Sequence, residues 1–90
     1  MLYKLYIGSN NKTGKLEFSK AVKVASENFN GFTAYRGLGY WKGQAERSLI
    51  LEIETRSKKK VFRLAKELAR KLKQEAVGVA VIGKMNFIGA

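Results

Sequence analysis

The sequence predicts an α+β domain in the order β-α-β-β-α-β. Three observations carry that reading. Leu2–Ile7, Ser48–Glu54 and Ala76–Ile82 alternate with a period of two, as half-buried strands do. Phe18–Phe29 and Val61–Leu72 instead repeat apolar residues at helical spacing. Phe32–Tyr35 is β-rich and stands directly before the Ser48 strand, so those two pair as a hairpin. Two crossovers then give a four-stranded antiparallel sheet with both helices on one face, the ferredoxin-like arrangement.

In chain order, Tyr3, Leu5 and Ile7 of the first strand point inward. Gly8–Gly14 is a polar turn-rich loop. Phe18, Ala21, Val22, Ala25 and Phe29 form the buried stripe of the first helix, with Ser19 or Thr13 as its cap and Asn30-Gly31 as its left-handed stop. The second strand runs from Phe32 into the octad Arg36-Gly37-Leu38-Gly39-Tyr40-Trp41-Lys42-Gly43, and Gln44-Ala45-Glu46 forms the tip of the connection. Glycines at alternate strand positions mark a bulge or a close backbone approach. Leu49, Leu51 and Ile53 point inward from the third strand. Ser57 caps the second helix, whose stripe is Val61, Leu64, Ala65, Leu68 and Leu72. Val77, Val79 and Val81 face the core from the last strand, and Met85, Phe87 and Ile88 make the tail apolar. The uncovered sheet face carries Leu2, Lys4, Tyr6, Ile50, Glu52, Gly78, Ala80 and Ile82, a mixture of small and apolar residues that invites a second sheet and predicts a homo-oligomer, a trimer first.

Ninety residues make one domain, 1–90, with no linker or repeat to divide it. The chain has no cysteine, histidine or aspartate. That removes a disulfide frame, a thiolate metal site, the commonest general base and any Ser-His-Asp arrangement. The expectation is a protein with no catalytic centre, no metal and no cofactor; an enzyme would have to draw its base from Glu46 or Glu52. No apolar run has the length of a membrane span, so the expected location is the cytoplasm. A net charge of +11 draws anions toward the protein.

The octad concentrates three of the nine glycines, the lone tryptophan and two cations. Here the chain resembles PII signal-transduction proteins, whose second strand reads GFTV followed by a segment like R-G-F-G-R-Q-K-G. This chain reads Gly31-Phe32-Thr33-Ala34-Tyr35 and then the octad, and Leu51-Glu52-Ile53-Glu54 is similar to that family's third strand. The resemblance implies trimers that bind adenine nucleotides between subunits. Carried over by position, Arg36, Gly37, Gly39, Tyr40, Trp41, Lys42 and Gly43 would line the cleft, with Arg36 and Lys42 on phosphate and Tyr40 and Trp41 against a base. The chain departs from the pattern at Tyr40-Trp41, in the shortness of the turn that follows, and at Gln74-Glu75-Ala76, which joins helix to strand directly. It therefore reads as a reduced PII-like binder of an anionic, nucleotide-type ligand.

Two other readings stand beside that one. Leu5–Asn10 and Arg36–Tyr40 look like the two signatures of the RNA-recognition motif, but the second lies on the second strand, and Ser48–Glu54 holds no aromatic residue for base stacking. A nucleic-acid module would instead use Lys59, Arg63, Lys66, Arg70 and Lys73 on the second helix. A protein-interaction adaptor would use the apolar tail and the aromatic pair.

Overall fold

Leu49, Leu51 and Ile53 on one strand and Tyr3, Leu5 and Ile7 on its neighbour form the floor on which everything else rests. In the computed structural model the elements are β1 (Leu2–Ile7), α1 (Phe18–Asn28), β2 (Thr33–Trp41), β3 (Gln44–Glu54), α2 (Lys58–Lys71) and β4 (Gly78–Gly83). The structure describes residues 1–9, 15–74, 77–83, 86 and 88, apart from the side chain of Trp41. The strands lie in the order β2-β3-β1-β4, all antiparallel, which is the ferredoxin-like α+β fold.

Both helices bury their stripes in the same core as the floor residues, so one sheet face is covered and the other is bare. Leu5, Leu49, Leu51, Ile53, Val61, Leu64 and Leu68 are fully buried, and each such side chain contributes about 1.5–3 kcal/mol of transfer free energy. Ser57 caps α2 as expected: its Oγ accepts from the Lys60 N–H at 3.2 Å.

Several local expectations are corrected. Glu17, not Ser19, occupies the N-cap position of α1, with no side-chain capping bond, and Thr13 lies outside the described residues. Val24 is buried where Val22 is only half-buried. The helix ends through an extended Phe29 whose ring turns into the core, without a left-handed Asn30 or Gly31. The octad is regular strand as far as Trp41, and Lys42 and Gly43 form the turn that follows. β2 pairs with β3 without a register break from Thr33↔Glu52 to Trp41↔Gln44, so Gly37 and Gly39 make no bulge. Gly37 does answer to close approach, since a Cβ there would sit 2.5 Å from Ile50 Cδ1. The tip is Lys42-Gly43, not Gln44–Glu46. Both residues take positive φ, 50° and 77°, the geometry of a two-residue hairpin turn that follows the strand twist. β3 is correspondingly longer than Ser48–Glu54. Val81 lies on the helix side by register yet is 52% exposed, because β4 is an edge strand. Met85 and Phe87 of the expected apolar tail lie outside the described residues, and Ile88 is exposed. Among the described residues no helix is long and apolar enough to cross a membrane.

Candidate functional site

β1 stops at Ile7, opposite Leu49, while β3 reaches back to Gln44. The β2–β3 hairpin therefore overhangs the end of β1. In the angle lies an open cavity of about 570 Å³ lined by Tyr6, Ile7, Gly8, Gly39, Tyr40, Glu46, Ser48 and Gln74. Strand alternation explains the lining. Gly39 pairs with Glu46, Gly37 with Ser48, and Tyr6 with Ile50, so Tyr6, Glu46 and Ser48 share the helix-free face.

Two devices shape the rim. The first is the end of α2. Lys73 takes φ 55°, and the Gln74 N–H donates to the Ala69 carbonyl at 2.9 Å, a Schellman closure with lysine where glycine is usual. That turn swings Gln74 toward β1, where its Nε2 donates to the Ser9 carbonyl. The second is Gly8. A Cβ there would lie 3.2 Å from Gln74 Oε1 and 3.4 Å from Glu46 Oε1, so two polar side-chain ends close over a residue with no side chain. Among the described lining residues the only charge is the Glu46 carboxylate.

A second cavity, about 500 Å³, is lined by Lys15, Leu16, Arg36, Gly37 and Arg47. Arg36 is held there with its guanidinium 4.4 Å from the centroid of the Phe18 ring. This is where the octad divides. Arg36 and Gly37 line the cationic cavity, Gly39 and Tyr40 line the acidic one, and Lys42 and Gly43 stand at the hairpin tip. An extended strand separates residues by about 3.3 Å each and sends alternate side chains to opposite faces, so eight consecutive residues do not converge. Sequence reading missed Tyr6, Gly8, Ser48 and Gln74. It named Glu46 only as the base an enzyme would need. The strand alternation on which Tyr6, Glu46 and Ser48 share a face was there to be read, had β3 been extended to Gln44.

On the same bare face Tyr35 Oη donates to Glu52 Oε2 at 2.7 Å, and Lys4 Nζ lies 3.4 Å from that oxygen. The Tyr35 hydrogen bond, followed by the Lys4 ammonium, holds the Glu52 carboxyl below its ordinary 4.5 against an opposing effect of burial. The same bonds push Lys4 and Tyr35 upward, Lys4 first through Tyr35 and Tyr35 through Glu52. A carboxyl depressed on folding contributes stability above its unfolded pKa and loses it as pH falls through the folded value. Stability is therefore expected to fall as the pH drops below the ordinary carboxylate value of 4.5, and Tyr35→Phe should flatten part of that fall. Urea midpoints of both proteins at pH 7, 4.5 and 3 check this; parallel curves would contradict it. Among the described residues no cluster of acidic side chains could hold a metal ion.

No family model and no curated protein sequence matches the chain. Solved structures do. A phage SAM lyase in its apo state is 28% identical, with a TM-score of 0.60, over 87% of this chain and 75% of that one. The periplasmic divalent cation tolerance protein CutA from Archaeoglobus fulgidus is 14% identical, with a TM-score of 0.56, over 98% and 88% of the two chains. A point mutant of CutA1 from Pyrococcus horikoshii is 14% identical, with a TM-score of 0.51, over 96% and 87%. The CutA structures share the ferredoxin-like fold with this chain and show that alone. The lyase corrects an expectation. An enzyme similar across most of the chain overturns the reading that a sequence without histidine, cysteine or aspartate has no catalytic centre.

Proposed function

We propose that this chain binds S-adenosylmethionine in the cavity beneath the β2–β3 hairpin and breaks a carbon–sulfur bond there, as a lyase. The similarity to the phage SAM lyase carries this reading. The chemistry of the cavity supports it. The substrate is a sulfonium with a net positive charge; the charged lining residue is a carboxylate on the same sheet face as Tyr6, and Tyr40 also lines the cavity. Aromatic ring faces attract such cations and also offer a stacking surface to adenine.

The reaction explains the sparse residue set. When the carbon–sulfur bond breaks, its electron pair goes to sulfur, which leaves as a neutral thioether. No proton has to be delivered to that leaving group, so the usual histidine acid has no task. The carbon fragment satisfies its valence by closing onto its own carboxylate oxygen or by giving up a neighbouring proton. Glu46 anchors the cationic substrate. Ser48 and Gln74 supply hydrogen-bonding groups for the ribose and the amino-acid end.

The reading keeps the nucleoside and the inter-subunit cleft expected from the sequence. It replaces the phosphates by a sulfonium, because Glu46 would repel a phosphate. Copies of the chain associate through their bare sheet faces, and a neighbour closes the open side of the cavity. The test is to incubate purified protein with S-adenosylmethionine and no methyl acceptor, following both substrate and thioether by chromatography and mass spectrometry. Turnover without added water in the products is the expected result; an unchanged substrate pool would sink the proposal.

A further inference from the structure

The outer surface of α2 is a second functional feature, separate from the cavity. Residues 58–73 carry eight cations and one carboxylate, a net +7 of the chain's +11. Within them Lys59, Arg63, Lys66 and Arg70 recur at steps of four and three along α2, which places them in one stripe; Lys73 stands just past the helix end in a left-handed turn, and all five are exposed. The carboxylate, Glu67, is taken by Lys71 at 3.0 Å. Lys58 and Lys60 lie over the rings of Phe62 and Phe29. Among the described residues no carboxylate lies within ion-pair distance of these five cations, and Arg70 attracts Glu67 only from beyond that distance.

At its start this charge opposes the helix dipole, while Arg70 and Lys71 in the last turn suit it. The first turn of α2 has no acidic residue and three lysines, where the helix dipole favours negative charge. An ordinary solvated face alternates signs to gain neighbouring ion pairs. This one does not.

We infer that this stripe binds the phosphate backbone of duplex nucleic acid without reading its sequence. From Lys59 to Arg70 it extends about 16.5 Å along the helix axis, the rise of about five base pairs. A bilayer fits less well. The apolar side of α2, with Val61, Leu64, Ala65 and Leu68, is already buried in the core, so the helix has no face left to insert. An acidic protein fits less well too, since protein interfaces deplete lysine and rest on buried aromatic anchors. The stripe lies on the opposite side of the molecule from the bare sheet face, so self-association through that face leaves it open.

The test is fluorescence anisotropy with a labelled mixed-sequence duplex of about 20 base pairs, titrated at salt from about 50 to 300 mM. Five contacts at about 0.9 each give a log–log salt slope of about −4.5. The triple variant Lys59→Ala, Arg63→Ala and Arg70→Ala should lower the magnitude of that slope by about 2.7 and weaken binding at least tenfold. All three side chains are exposed, so its thermal melt should match the parent, and a scrambled duplex should bind as well as the first. Absence of binding at the lowest salt overturns the inference. So does an unchanged slope in the variant, loss of binding from Arg36→Ala with Arg47→Ala instead, or capture by phosphatidylserine vesicles in preference to the duplex. Cleavage of S-adenosylmethionine is not involved in this readout, so the two proposals fail independently.

Discussion

Glu46→Gln is expected to lower kcat/KM for S-adenosylmethionine by about 100-fold, or about 2.7 kcal/mol of transition-state stabilisation. Glutamine keeps the size and the hydrogen-bonding oxygen of glutamate, so the change isolates the charge. The surrounding protein is strongly basic, with a formal +11, and would repel a cation. Glu46 is the one charged side chain among the described lining residues of the cavity, where it reaches to within 3.4 Å of the position a Gly8 Cβ would occupy. A charge-assisted contact is worth about 1.5–3 kcal/mol, which brackets the expected loss. On the proposal that Glu46 anchors the substrate before any bond breaks, most of the effect should appear in KM. A loss confined to kcat would reassign Glu46 to accepting a proton from the carbon fragment. Activity within threefold of the parent would remove it from the site.

How legible this site was follows from what strands do. Element order and type were readable because the apolar periods are clean: Leu49-Leu51-Ile53 and Val61-Leu64-Ala65-Leu68 sit where alternation and helical spacing put them. The hairpin was harder. Its glycines and tryptophan made Arg36–Gly43 look like an irregular segment, yet β2 pairs with Gln44–Ser48 in unbroken register, and the turn needs only Lys42 and Gly43. Once that stretch is strand, its side chains split between two faces and two cavities. Gln74 was unreadable for another reason. It reaches the cavity only because Lys73 adopts a left-handed conformation, which costs a non-glycine residue about 1–2 kcal/mol and carries no sequence signature.

The absence of histidine misled in a related way. Residue types exclude mechanisms, but they do so only for reactions that need those residues. A leaving group already cationic asks little of its enzyme beyond orientation, exclusion of water and a matched field. In the proposed reaction, glycines that allow close approach, two tyrosines and a carboxylate would have to meet those needs.

Leu51→Ala is expected to be the most destabilising single truncation of the sheet, at about 2–5 kcal/mol. Leu51 is fully buried, pairs with Leu5 on one side and Ala34 on the other, and lies under both helices' shared core. A domain of this size has only about 5–13 kcal/mol in all, at roughly 0.05–0.15 per residue. The melting temperature should therefore fall by about 4–8 °C for each kcal/mol lost. Val81→Ala supplies the contrast. It removes branched apolar volume from the same side of the same sheet, but at an edge strand where the side chain is half in water. Its cost should stay below about 1 kcal/mol, since little of its surface is withdrawn from solvent. Thermal melts of the two variants at equal protein concentration measure the difference. Similar losses would mean that β4 is covered in solution by something other than its own helices, and a neighbouring copy of the chain is then the first candidate to test by sedimentation.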